Sequence, residues 1–112
     1  MKKLAFIFIL LFFISSMFSQ DIVDIKYHEN GNKKEAISFN DNLQLDGKCY
    51  TWSEDGNLIG MASYKNGKKH GPWKIWRTDG SVVYEMYYEK GKRVGTWKFY
   101  DDIGNIVSEK IF

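Results

Sequence analysis

Residues 71–94 read GPWKIWRTDGSVVYEMYYEKGKRV, and this stretch decides the fold. Trp73-Lys74-Ile75-Trp76 and the run from Val82 to Tyr88 are rich in aromatic and β-branched residues, which suit a pleated, half-buried surface. Between them stands Thr78-Asp79-Gly80, and after them Glu89-Lys90-Gly91. Asp-Gly and Lys-Gly at such places supply the positive-φ residues that hairpin turns require. Side chains two apart in a strand share a face. Trp73 and Ile75 are therefore expected on one face, and Val82, Tyr84, Met86 and Tyr88 together on the second run. The stretch reads as a β-hairpin of 24 residues closed by a second turn.

The same unit recurs on both sides. Gly47, Gly71 and Gly95 are spaced 24 apart, as are Gly56, Gly80 and Gly104, and as are Gly67 and Gly91. Eight of the ten glycines thus fall on one period, the signature of a repeat array in which each unit buries its apolar groups only against its neighbours. Aromatic residues follow the glycines: Trp52, Trp76 and Tyr100 align, Trp73 aligns with Trp97, and Tyr64, Tyr88 and Phe112 align. A degenerate first unit, IKYHENGNKKEAISFNDNLQL, matches at an offset of 25 and places Tyr27, Gly31 and Phe39 in the same roles. The one-residue excess near Asp46 predicts a bulge or a longer loop. No segment after residue 20 holds a 3.6-residue period, so the expected fold is all-β: an elongated antiparallel sheet of about four consecutive hairpins, with units at about 25–46, 47–70, 71–94 and 95–112.

The pattern G-x-W-x-x-[WY]-x-x-x-G, followed by an aromatic eight residues later and N-G-K-x-x-G, resembles the MORN repeat (membrane occupation and recognition nexus). It is closest to the bacterial variant found in proteins classed as antitoxin components of toxin–antitoxin systems. Gly71, Trp73, Trp76, Gly80, Tyr88, Gly91 and Lys92 carry the resemblance, with Gly95, Trp97, Tyr100, Gly104 and Phe112 after them. Two departures stand out: Cys49 replaces the first Trp of the second unit, and Asp41-Asn42-Leu43 replaces N-G-K in the first. The resemblance implies a scaffold or binding module, with an antitoxin role as the narrower expectation.

The N-terminus is of another kind. Met1-Lys2-Lys3 is followed by an apolar run from Leu4 to Ile14, then by Ser15-Ser16-Met17-Phe18-Ser19. That is the order of a secretory signal peptide, and the run is shorter than the roughly 20 apolar residues of a membrane-spanning helix. Residues 1–19 are expected to leave at Ser19–Gln20, giving a 93-residue repeat domain over 20–112 that is exported to the periplasm or beyond. The formal charge of +2, from 16 basic and 14 acidic residues, then falls to zero, because Lys2 and Lys3 depart and 14 face 14. A neutral chain has no overall field with which to gather nucleic acid.

Distribution matters more than the total. Glu54-Asp55-Gly56, Thr78-Asp79-Gly80 and Asp101-Asp102-Ile103-Gly104 are acidic turns, whereas Lys65, Lys68, Lys69, Lys90, Lys92 and Arg93 surround the others. In a meander alternate turns lie on opposite edges, so one edge is expected acidic and the other basic, a candidate strip for an acidic partner or anionic headgroups. Trp52, Trp76, Tyr100, Tyr50, Tyr84 and Tyr87 are candidate contact rings, with packing between hairpins as their competing role. The open ends of such a sheet invite edge-to-edge self-association.

Catalytic signals are sparse. His28 and His70 fall in different units, no paired metal-ligand spacing occurs, and the serines lack a nucleophile-elbow context. His70 aligns with Val94, which argues against a required imidazole. The lone Cys49 excludes an intrachain disulfide and reads as a small apolar filler. No cofactor or metal is expected. The reading is an exported, non-catalytic β-repeat module that binds or scaffolds protein at the cell envelope. An immunity protein against a toxin and a membrane-surface binder are the alternatives. Produced in a secreting bacterial host, the chain should be recovered with an intact mass that begins at Gln20; retention of residues 1–19 would refute the export reading.

Overall fold

The computed structural model describes residues 22–112. The expected signal peptide, residues 1–19, lies outside the described residues. Eight strands follow one another across a single antiparallel sheet: β1 (Ile22–Tyr27), β2 (Lys33–Phe39), β3 (Gly47–Trp52), β4 (Leu58–Lys65), β6 (Gly71–Trp76), β7 (Val82–Glu89), β9 (Thr96–Tyr100) and β10 (Ile106–Ile111). Two short strands, β5 (Lys68–Lys69) and β8 (Lys92–Arg93), pair back onto β4 and β7. No second layer covers either face of the described sheet. Ala36 is its buried apolar residue and Ser63 its buried polar one, and no large side chain is fully enclosed.

Turn chemistry sets this order. His28–Asn32, Ser53–Asn57, Arg77–Ser81 and Asp101–Asn105 each close with the same pair of backbone bonds. In the third, Arg77 N donates to Ser81 O at 2.8 Å and Gly80 N to Arg77 O at 3.0 Å. This is a three-residue loop with its last residue left-handed, which Gly31, Gly56, Gly80 and Gly104 supply. Asp79 Oδ1 accepts from Ser81 Oγ at 2.7 Å and Ser81 N at 2.8 Å. These two bonds, that from the hydroxyl foremost, hold the Asp79 carboxyl below its usual range.

The opposite edge uses a tighter turn. Asn66-Gly67 and Lys90-Gly91 have φ of 49°, 82°, 51° and 83°, the double positive-φ geometry whose twist matches the flanking strands. Phe39 bridges Leu45 across the first of these turns, whereas Tyr64 pairs with Lys69 across the next. The extra residue of the first unit is thus a longer loop. There Asn40 N donates to Gln44 O and Leu43 N to Asn40 O, the three-residue geometry again, and Leu43 takes φ of 59° where the other such loops carry glycine.

Within hairpins, five or six residues pair in register. Between hairpins only two do at each seam: Glu35 and Ala36 with Thr51 and Tyr50, Gly60 and Met61 with Ile75 and Lys74, Tyr84 and Glu85 with Phe99 and Lys98. At the second seam the chain slips by two residues between Lys69 and Lys74, and Gly71 carries the kink with φ of 109°. A Cβ there would also stand 3.1 Å from Ser63 Cβ, a tight approach that adds to the conformational reason for glycine.

One expectation about faces is corrected. Ile75 pairs with Tyr84, but Trp76 pairs with Val82, so Val83 is the additional residue of a bulge. Val82 therefore lies on the side of Trp76 and Lys74, opposite Tyr84, Met86 and Tyr88. The same shift recurs at Lys26/Tyr27, at Thr51/Trp52 and opposite Tyr100, and each increases the local twist. Leu43 is 70% exposed, so Leu43→Gly relieves the left-handed strain without loss of packing. It should raise the free energy of unfolding by about 1 kcal/mol, read by urea denaturation of residues 20–112.

Candidate functional site

The ladder face of the sheet is organised by rings. Tyr64, Trp73, Tyr88, Trp97 and Phe112 form one continuous row with successive centroids 5.3, 5.3, 5.1 and 5.0 Å apart. Neighbouring planes are inclined by 55° to 61°, which brings a positive ring edge towards a negative ring face. Glycine-x-Trp at the start of β6 and β9 and the aromatic at the end of each hairpin place these side chains. Each indole is also fixed by its donor: Trp73 Nε1 donates to Ser63 O and Trp97 Nε1 to Tyr87 O, both at 3.0 Å. Tyr84 and Phe99 stack beside the row at 4.9 Å.

Cations cover the row from the basic edge. Lys69 Nζ stands 4.8 Å from the Trp73 centroid and 4.9 Å from that of Tyr88. Arg93 repeats the arrangement 24 residues on, 5.4 Å from Trp97 and 5.6 Å from Phe112. Among the six basic residues singled out in the sequence, these two thus turn onto the rings. Lys65, Lys68 and Lys90 instead line one depression of about 300 Å³ with Asn66 and His70. Lys92 is exposed beside them. Asp41, Asp46 and Glu89 lie along the same edge.

The edges are stitched by contacts that the sequence reading missed. Gly67 N donates to Leu45 O and Gly91 N to Lys69 O, both at 2.8 Å. Asp46 Oδ1 accepts from Asn66 N at 2.9 Å, and His70 Nδ1 accepts from Lys90 N at 3.2 Å. His70 is therefore the counterpart of Asp46 in the repeat: its Nδ1 caps the next turn. On the acidic edge His28 Nε2 donates to Trp52 O at 2.9 Å. Arg77, in the matching place, donates to Tyr100 O and Asp101 O, each at 3.1 Å. Both histidines are turn fasteners between adjacent units. Their alignment with Asp46 and Arg77 at offsets of 24 and 49 was the available signal.

The second face carries Tyr50 and Trp52, with centroids 5.9 Å apart, Trp76, Tyr87 and Tyr100. Trp52, Trp76 and Tyr100 sit there one per hairpin, separated by intervening strands. Desolvation, followed by the Glu85 carboxylate, raises the Tyr100 phenol above its ordinary range. Among the described residues no group of three or more His, Cys, Asp or Glu has the geometry to hold a metal ion.

These features define a class: a single-layer β-hairpin repeat protein with a ringed face and two turn-lined edges. Comparison with protein families gives the class a more particular description. The MORN repeat variant matches residues 45–66 and again residues 69–92, two copies in the same 24-residue frame, which supports reading the chain as a MORN-repeat protein. Such repeats are commonly protein- or membrane-binding modules and are non-enzymatic. No curated protein and no solved structure matched the chain.

The row predicts measurable coupling between its members. In a double-mutant cycle of Tyr88→Leu and Trp97→Leu, the interaction energy from denaturant unfolding should be about 0.5–1.5 kcal/mol. The cycle of Trp76 and Tyr100, which lie on the other face without ring contact, should close to within about 0.5 kcal/mol.

Proposed function

We propose that this chain is an exported, non-catalytic β-repeat module that binds or scaffolds protein at the cell envelope. The observation that carries the reading is the partly exposed ring face. In a single layer the Trp and Tyr rings of the row stay half-buried, and such rings are the preferred anchors of protein interfaces. Ile75 and Tyr84 flank the row and are 42% and 40% exposed, which widens the apolar strip on this face. The ring-covering positions of Lys69 and Arg93 support a protein partner over a lipid surface, since two of the six basic groups are already engaged with indoles. The leader-like sequence of residues 1–19 supports the envelope location. An immunity role would be this same binding role with a toxin as the partner.

A photocrosslinking amino acid at Ile75, on the ringed face, tests the proposal in the producing cells. One discrete protein adduct is expected, with the same residue at the exposed turn position Asp55 as the background control. Flotation of the purified chain with anionic vesicles at low salt is the companion measurement. Adducts no different from those at Asp55, together with flotation, would overturn the protein-binding reading in favour of a membrane surface.

A further inference from the structure

The ring row stops at Tyr64, and the reason is a coordinated change of residues. At Cys49 the repeat has Trp73 and Trp97 in the later units; at Thr51 it has Ile75 and Phe99; at Gly60, Tyr84; at Ala62, Met86. Cys49 pairs with Ala62 and Thr51 with Gly60, so all four reductions in size fall on one patch of one face. Leu45 stands where Lys69 and Arg93 cover the later indoles, so the cation is missing there as well. What remains is a groove of about 360 Å³ lined by Ile37, Leu45, Cys49, Ala62, Tyr64 and Ile75, at the small end of the range that accepts ligands.

The hydrogen-bonding pattern says what would fit. Ser63 O accepts two donors, His70 N at 3.0 Å and the Trp73 indole at 3.0 Å. Tyr87 O likewise accepts Val94 N and the Trp97 indole. Ser38 O, in the same place one unit earlier, accepts Asp46 N at 3.0 Å, and Cys49 brings it no indole. A carbonyl has two lone pairs, and in the later units the second is taken by the indole N–H of the residue at the place of Cys49. Tyr64 offers the groove its outer side, as Tyr88 does to Trp73. Burial, then the Cys49 thiol and the Tyr88 phenol, raises its hydroxyl above the ordinary range.

We infer that this groove is a receptor for one tryptophan side chain of a protein partner, which takes the vacant place in the row, packs edge-to-face on Tyr64 and donates its indole N–H to Ser38 O. The inference rests on the protein-binding reading above for the source of the ring. The groove's own chemistry can be tested without the partner.

The probe is N-acetyl-L-tryptophanamide, titrated into residues 20–112 and followed by NMR at the Ala62 methyl and the Tyr64 ring. Saturable millimolar binding is expected. It should be at least fivefold weaker for the analogue methylated on the indole nitrogen, and at least fivefold weaker for N-acetyl-leucinamide. Cys49→Trp fills the groove from within and should abolish binding; Ala62→Met, which copies the next unit, does so from the facing strand and serves if the first variant does not fold. Absence of saturable shifts, equal binding of the leucine or methylated probe, or unchanged binding in the filled variants would each overturn the inference. So would self-association in sedimentation that Cys49→Trp removes, which would give the groove to a second copy. Failure of the probe leaves an Ile75 adduct standing, and failure of the adduct leaves probe binding standing, so the two readings are separable.

Discussion

A sheet with only one layer must obtain its apolar burial sideways. Two-layer folds bury a sheet face against another element; here the rings of one strand are covered by the rings of the next. The alternating row of Tyr and Trp from Tyr64 to Phe112 meets that constraint, and the rest of the structure serves it. Two registered residue pairs at each seam would hold neighbouring hairpins weakly. The indole donors to Ser63 O and Tyr87 O cross the same seams, so each tryptophan closes a seam with its ring and its nitrogen together. The glycine at Gly71 and its counterparts let the backbone turn sharply enough to bring the next tryptophan into line.

Charge follows from the same geometry. Turns of two kinds alternate, so each kind collects on its own edge, and residues at the same repeat position meet across adjacent units. Lysines brought together in this way would repel one another. Two of the basic positions, Lys69 and Arg93, are drawn onto ring faces, where a cation is attracted by the quadrupole. The opposing edge uses neutral and cationic donors, Asn30, Asn32 and Arg77, to tie acidic turns through their carbonyls. The two edges are therefore fastened by different chemistry although the chain as a whole, from Gln20 onward, is neutral.

Most of the architecture was legible because the glycines are spaced by backbone necessity and the aromatics by sheet pleat. The strands, the turn types and the sharing of a face by Trp73 and Ile75 follow directly from those spacings. Val82 was placed on the wrong side because a bulge is a property of two paired strands, and strict alternation along one strand cannot register it. The roles of His28 and His70 are hidden for a related reason: each acts on the neighbouring unit, so their counterparts are Arg77 and Asp46 and alignment of His70 with Val94 does not show it. The basic residues were legible as a group, but their division between ring-covering and solvent-facing depends on where the rings stand. The groove at Cys49 could be read as a missing tryptophan; that Gly60, Ala62, Thr51 and Leu45 shrink or lose charge at the same spot required the register.

The interruption at Cys49 also divides the sheet mechanically. From Tyr64 to Phe112 each hairpin is joined to the next by ring contact, indole bond and cation. β1 and β2 lie beyond that row, and every residue of β1 is exposed; β2 meets β3 through two paired residues, the bonds from Ser38 to Lys48 and from Asp46 to Ser38, Lys33 over the Trp52 ring, and the fasteners of the first turn. The first hairpin is thus held to the array by backbone pairs, polar bonds and one cation–ring contact, and the later ones by ring-on-ring contact as well.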